Sequence, residues 1–380
     1  MSTVGIKRRI DDTLCLSLMA AGFLMPLGGI GEQGHEAAGW FDLPGMLAPA
    51  LVAFGCSIWL AFRPQASGPT ALGVSVVGAA SGVVVPLSML TSGLVLGGQA
   101  PGLWLFLMGL SFLVWRALQN MSLHKGADMV MKLLVPALFG IWLLYLWQVL
   151  VIGFDVPKIL LPAPSQIGDA LVAKQHILWA DFQQTFMKAV IAGFVLGCGS
   201  GFLVALIVDR VPFLARGLLP LGGAVSAIPI VGIAPIMVMW FGFDWQSKAA
   251  VIVVMTFFPM LVNTLAGLNS PDSMQRDLMH SYGASHRQTF LSLRLPSALP
   301  FIFNALKINS TLALIGAIVA EFFGTPIKGM GFRISTEVAR MNVDTVWATI
   351  AVAALAGSVF YGMLALLERR LTFWHPSYRK

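Results

Sequence analysis

Ten apolar runs punctuate the chain, at 13–30, 44–62, 70–88, 102–118, 132–152, 185–208, 217–240, 249–268, 298–322 and 345–367. Each is long enough for a helix to cross a hydrocarbon core of about 30 Å, so each predicts a membrane span. Residues 270–296 break this pattern, being too polar for the bilayer while keeping a helical period. Ser270 and Pro271 occupy N-cap and first-turn positions, Met274, Leu278 and Tyr282 share one face, and Gly283 is placed to end the helix. Ser285 and Gln288 then have capping-box spacing, and Pro296 and Pro300 punctuate the return to the bilayer. The spacing predicts two short helices hinged at Gly283. Met274, Leu278, Met279, Tyr282, Phe290 and Leu293 need a covering surface, since helices this short do not hold alone. Two coverings stay open: the chain's own membrane helices, or another protein.

Three of the runs carry finer patterns. Ala189, Gly193, Gly197, Gly201 and Ala205 recur every four residues and form a face that lets a second helix come close, within one subunit or between two. Gly222, Gly223, Pro229, Gly232 and Pro235 predict a broken or kinked helix across 217–240. Such a break borders a pathway or sits in buried packing. Asn304, Lys307 and Thr311, with Ser310 beside them, lay a polar stripe along one span. A charge at a helix centre costs about 2.5–3.5 kcal/mol on insertion scales, so Lys307 is expected to face a cavity, meet a carboxylate or snorkel inward. Glu321, near the far end of the same span, is expected to be wet.

Composition agrees with the pattern. Of 380 residues 57% are hydrophobic and 11% charged, with a mean hydropathy of +0.81, whereas soluble chains carry about 25% charge. The net charge of +7 forms no basic stripe interleaved with aromatics, so nucleic acid is not an expected partner. The basic residues flank spans instead. Parity from Lys7, Arg8 and Arg9 puts Arg63, Arg116, Lys125, Arg210, Arg216, Arg276, Arg287, Arg294 and the C-terminal tail on one side, which the positive-inside rule makes cytoplasmic. Both termini and residues 270–296 are then expected inside. No small-x-small cleavage site follows the first run.

Candidate chemistry is sparse. Cys15, Cys56 and Cys198 are isolated, the histidines form no ligand pair, and no metal site is expected. A literal GxGxxG at 29–34 lacks the strand, helix and acid that a dinucleotide site needs. No GxxxxGK[ST] loop is present. The four N-terminal spans show almost no charge expected to be buried and no readable function.

Gly283, nine further residues and Leu293-Arg294-Leu295-Pro296 resemble the cytoplasmic loop of ABC importer permeases. Asp277, Leu278 and Met279 stand where that loop has Glu-Ala-Ala, so only the acid is kept. Leu161-Pro162-Ala163-Pro164-Ser165, Ile228-Pro229, Ala234-Pro235, Trp240-Phe241-Gly242, Phe258-Pro259 and Ala320-Glu321 follow in the order of nitrate/sulfonate/taurine-type permeases. The resemblance implies an all-α polytopic protein, in which about four extra spans (1–130) precede a six-span type I importer permease (131–380). It implies a transmembrane permease subunit of an ATP-driven importer of a small solute, a sulfonate, nitrate or related molecule. Asp277, Leu278, Met279, Gly283, Ala284, Ser285, Leu293 and Pro296 would contact the ATPase. Ser226, Pro229, Pro235, Asn304, Lys307 and Thr311 would border the pathway, and Gly193, Gly197 and Gly201 would pack helices. The chain is expected to bind no cofactor and to catalyse no bond change. ATP and Mg would sit on separate ATPase subunits, alongside a second permease copy or related permease and a periplasmic or lipid-anchored solute-binding protein. Lipids of a bacterial cytoplasmic membrane complete the expected partners. The rivals are an ion-coupled secondary transporter, which needs ionisable groups near mid-membrane, and a polytopic membrane enzyme, which needs acids, histidines or a nucleophile at one depth.

Overall fold

A computed structural model describes residues 3–30, 36–64, 68–92, 94, 96–123, 129–211, 213–214, 216–218, 220, 228–324 and 326–374. Packing divides the chain into two compact units, Met1–Gln166 and Ile167–Lys380. Among the described residues, eight helices are long and apolar enough to cross a membrane.

The first unit contains α1 (Thr3–Phe23), α2 (Pro44–Phe62), α3 (Pro69–Leu90), α4 (Pro101–Ser122) and α5 (Met129–Gly153). Its core is built from Met19, Leu27, Trp40, Leu103, Phe106 and Leu110. The first helix lies about ten residues earlier than the apolar run at 13–30 predicts. It stops at Phe23, ahead of Pro26 and the Gly28-Gly29 pair, and the rest of the run enters a small antiparallel hairpin of β1 (Gly28–Ile30) and β2 (Glu36–Ala38). That hairpin is a local departure from an otherwise helical fold. Residues 31–34 of the GxGxxG match lie outside the described residues.

The expectation of almost no buried charge in this unit is overturned. Asp12 of α1 and Arg116 of α4 form a 3.4 Å ion pair, with both side chains buried. Arg116 Nη2 also donates to the Pro64 carbonyl at 3.1 Å, and Asn120 Nδ2 donates to Ser75 Oγ at 3.3 Å. Reading Arg116 as a cytoplasmic-side cation at the end of its span hid its partner, 104 residues away along the chain. α5 packs with α3 and α4, and Tyr145 donates to the Val83 carbonyl at 2.8 Å. The compact unit therefore runs to Gln166, whereas the sequence pattern divides the chain at 130/131.

The second unit opens within α6 (Pro164–Ala173), which is followed by α7 (Gln175–Phe182). α7 runs through a π-helical stretch, Gln183–Val190, into α8 (Ile191–Arg210). α9 (Ile230–Phe241) is only 12 residues long and begins after Pro229, whose backbone is extended (φ −61°, ψ 129°). α10 (Trp245–Leu268) follows. Next come the short α11 (Ser273–Ser281) and α12 (His286–Thr289), a π turn at Phe290–Arg294, and α13 (Leu295–Glu321). α14 (Met330–Ala339) and α15 (Val343–Leu371) complete the unit. α8, α10 and α13 form its centre, where Val190, Ile252, Ala305, Ala313 and Ala317 are buried.

The small-residue face explains how α8 meets α10. A Cβ on Gly193 would lie 2.6 Å from Ile252 Cβ, and one on Gly201 would lie 2.5 Å from the Phe257 carbonyl oxygen. At Gly197 it would collide with Thr256 Oγ1. This close approach lies within one chain, and it aligns Thr256 with Cys198 and the buried Asn309 of α13. Asn309 Nδ2 donates to the Thr256 carbonyl at 2.8 Å and reaches Cys198 Sγ at 3.2 Å. Gly199 faces open space, which limits the tight seam to every fourth residue.

Candidate functional site

Two polar assemblies close opposite ends of the second unit. The first is built on residues 268–296. Asp272, rather than Ser270, caps α11: its carboxylate accepts from the Gln275 N–H at 2.7 Å, and the Gln275 amide accepts from the Asp272 N–H at 3.2 Å. An aspartate two residues later offers the stronger acceptor, so the helix begins beyond Pro271. Its C-terminus is a Schellman turn. Gly283 N–H donates to the His280 carbonyl at 2.9 Å, Ala284 N–H donates to the Met279 carbonyl at 3.0 Å, and Gly283 has φ +65°.

Ser285 caps the next helix, with Gln288 closing the box at 2.7 Å. That helix is not a second short element. α12, the π turn and α13 run without interruption from His286 to Glu321, because Pro296 and Pro300 fall where a helix tolerates them or merely bends. Gly283 therefore separates one short helix from the leading end of a 36-residue one.

Burial answers the question of covering. Phe290 packs on the core of the unit, and Leu293 is half-buried. Met274, Leu278 and Tyr282 are 78%, 55% and 83% exposed, so this chain does not cover that face. Asp277 and Ser285 are also exposed, while Met279, Ala284 and Pro296 are half-buried.

Joined to α11 through Arg276 is an arginine junction that the spacing did not reveal. Arg294 Nη1 and Nη2 grip Asp209 Oδ2 and Oδ1 at 2.9 and 2.6 Å, while Nε donates to the Leu268 carbonyl at 3.0 Å. Nη2 also reaches Asn269 Oδ1 at 3.3 Å, and Arg276 of α11 donates to the Asn269 carbonyl at 2.9 Å. Both guanidinium groups thus sit at helix C-termini, where the backbone favours cations.

The second assembly anchors α14. Gly329 lacks a side chain to cap this helix, and its first N–H groups are satisfied from elsewhere in the fold. Gly329 N–H donates to Asp181 Oδ1 at 2.8 Å, Met330 N–H to Thr185 Oγ1 at 2.7 Å, and Gly331 N–H to Glu321 Oε2 at 2.6 Å. Thr185 in turn donates to Glu321 Oε1 at 2.7 Å, and Arg333 Nε donates to Asp181 Oδ2 at 2.8 Å. Glu321 is 3% exposed and Asp181 is fully buried, so the expectation of a wet Glu321 is overturned. Carboxylates are favoured at a helix N-terminus, which offsets the cost of burying them. A Cβ at Gly329 would press to 2.7 Å of the Glu321 carboxyl.

Lys248 extends this assembly across the α9–α10 connection. Its ammonium donates to the carbonyls of Phe243 (2.6 Å) and Gly324, and to the Asp244 carbonyl at 3.2 Å. Gln184 donates to Asp244 Oδ1 at 2.5 Å. That hydrogen bond, aided by the Trp245 N–H, holds the Asp244 carboxyl below its ordinary pKa against a smaller opposing effect of burial.

The expected pathway residues separate. Asn304 and Thr311 lie on an exposed face of α13 with Phe301, Ile308 and Ile315. Lys307 turns away and meets Glu368 of α15 at 2.7 Å, with both side chains mostly buried. Of the three outcomes open to Lys307, the structure selects the carboxylate. Ser310 is buried and donates to the Lys307 carbonyl at 2.7 Å. Pro229 immediately precedes α9 and Pro235 lies inside it, whereas Ser226 falls outside the described residues. Among the described residues no group of three or more His, Cys, Asp or Glu is placed to hold a metal ion.

The sequence has relatives among known proteins. Residues 167–373 match the family described as binding-protein-dependent transport system inner membrane component. The formylaminopyrimidine transport permease protein ThiX of Halalkalibacterium halodurans is 33% identical over 241 residues, which cover 63% of this chain and 96% of that one. The riboflavin transport system permease protein RibX of Chloroflexus aurantiacus is 29% identical over 237 residues, covering 62% and 88%. The taurine transport system permease protein TauC of Escherichia coli is 28% identical over 252 residues, covering 63% and 88%.

Proposed function

The chain belongs to the family of binding-protein-dependent transport system inner membrane components, and from that premise we propose that α11 is the docking element for a cytoplasmic ATPase that powers solute import. The observation that carries this reading is the apolar face of Met274, Leu278 and Tyr282, exposed on a segment too polar for the bilayer. Leaving such a face in water forgoes burial worth ~25 cal/mol per Å², which a partner surface recovers. The positive-inside distribution supports a cytoplasmic location for this end and for both termini.

ATP and Mg then belong to the ATPase, since this sequence has no phosphate loop. A second permease copy or a related permease faces the exposed side of α13, and Asn304, Thr311, Pro229 and Pro235 border the route between them. An external solute-binding protein delivers the solute to the end built around Asp181 and Glu321. The solute is a small organic molecule. Taurine, the solute in one relative's name, is the first to test; Asn304 and Thr311 would offer it hydrogen-bonding groups, and Lys307 is neutralised by Glu368.

Leu278→Asp tests the docking assignment. Membrane insertion and yield are expected to stay at wild-type levels, while Mg-dependent ATPase activity co-purifying with the full-length chain falls at least about tenfold, as for a lost interface anchor worth ~1.4 kcal/mol or more. Undiminished co-purifying activity would return this face to a role unconnected with the ATPase.

A further inference from the structure

We propose that Arg294 is the positioning residue that makes α11, α8 and α10 move as one body, so that displacement of the docking helix is delivered to two membrane helices at once; this rests on the docking reading above. The geometry is unusually convergent. One guanidinium binds Asp209 through two parallel bonds of 2.6 and 2.9 Å, the Leu268 carbonyl at 3.0 Å and the Asn269 side chain at 3.3 Å. Asp209 lies in the last turn of α8, and Leu268 and Asn269 end α10. Arg276 ties α11 to that same Asn269 from the other side. Residues from three elements therefore meet within two bonds of one side chain.

The position of Arg294 in the chain matters as much as its contacts. It closes the π turn at Phe290–Arg294, the one irregular turn between α12 and α13. A π turn widens the helix by one residue. From the last residue of this turn the Arg294 fork reaches the ends of α8 and α10, and Arg276 links α11 to the same Asn269.

The arrangement also selects arginine. A lysine ammonium has no planar fork, so it cannot hold both Asp209 oxygens and the Leu268 carbonyl in one geometry. The pair is mostly buried, Arg294 being 15% and Asp209 8% exposed. Losing it is compatible with a folded chain, because the seam of α8 and α10 at Gly193, Gly197 and Gly201 holds those helices independently.

The test uses the full-length chain with its co-purifying ATPase in lipid nanodiscs. Cys56 is replaced by alanine, and spin labels are placed on cysteines at the exposed positions Ser281 of α11 and Val211 beyond α8. Electron-resonance distance measurements are made without nucleotide and after trapping with ATP and vanadate. With Arg294 present, one narrow distribution is expected in both states. Arg294→Lys and Asp209→Asn are each expected to broaden the trapped-state distribution about twofold, while ATPase co-purifies at the wild-type level, because the fork is lost and the docking face is not. A distribution unchanged in both variants, or a wild-type distance that shifts on trapping, would overturn the proposal. Loss of the ATPase from both variants would overturn it too, by making Arg294 part of the docking surface. The docking reading fails separately, when Leu278→Asp retains the ATPase.

Discussion

The two ends of the second unit solve the problem of ionic groups beside a membrane in opposite ways. Around Asp181 and Glu321 the carboxylates turn inward and spend their acceptors on the N–H groups of α14, leaving a closed, buried assembly. Around Arg294 the charges are also satisfied, but they are joined through Arg276 to α11, whose Met274, Leu278 and Tyr282 remain uncovered. The first arrangement fixes a helix within the chain. The second fixes a platform and leaves its outer face unused. A buried polar network is what makes one end rigid, whereas a satisfied polar base with an apolar cap is what suits the other to a partner.

The contrast can be broken most severely at the closed end. Asp181→Ala removes the partner of Arg333 and of the Gly329 N–H together, and breaking a buried pair costs about 3–5 kcal/mol. The thermal midpoint of the purified chain in detergent is expected to fall accordingly. Leu278→Asp, changing an exposed residue at the other end, is expected to stay within about 0.5 kcal/mol. Equal effects would erase the distinction between the ends.

A smaller effect is expected at the turn that aims α11. No atom lies within 4 Å of a Cβ built on Gly283, so Gly283→Val is strained only through its φ of +65°. A side chain in that conformation costs roughly 1–2 kcal/mol. The loss should appear as faster proteolysis at residues 281–285 and weaker ATPase co-purification, with the α14 end unaffected. Wild-type proteolysis and wild-type co-purification together would show that this turn does not set the angle of α11.

The smallest effect is a pH dependence at Asp244. Its folded-state pKa lies below the ordinary 3.8 because Gln184 donates to it. A depressed carboxylate contributes stability that is present above the unfolded-state value and is lost as pH falls through the folded-state value. Gln184→Ala should therefore lower the melting midpoint slightly at neutral pH, and the difference from wild type should shrink in acid. A difference that grows on acidification would contradict the assignment.

Most of the membrane helices could be read from the sequence, because apolar length is a local property and the bilayer accepts little else. The hairpin at Gly28–Ile30 was hidden inside an apolar run whose hydropathy does not distinguish helix from strand. The end of α11 at Gly283 and the Ser285–Gln288 cap were legible too, since each depends on residues within one turn. Its start was misplaced by two residues, because Ser270-Pro271 and Asp272 carry competing cap signals and the carboxylate won.

What the sequence determined by itself was a chain of apolar helices interrupted by a polar amphipathic segment, together with the small-residue seam along α8. Tertiary structure alone decided which charges meet. Arg333 finds Asp181 across 152 residues, Thr185 finds Glu321 across 136, and Arg294 finds Asp209 across 85. A charge at the end of an apolar run reads the same whether it faces water or a buried partner. Only the packing of α8 against α10 and α13 brings those ends together, removes the water and turns isolated charges into one assembly that fixes a helix and another that presents one.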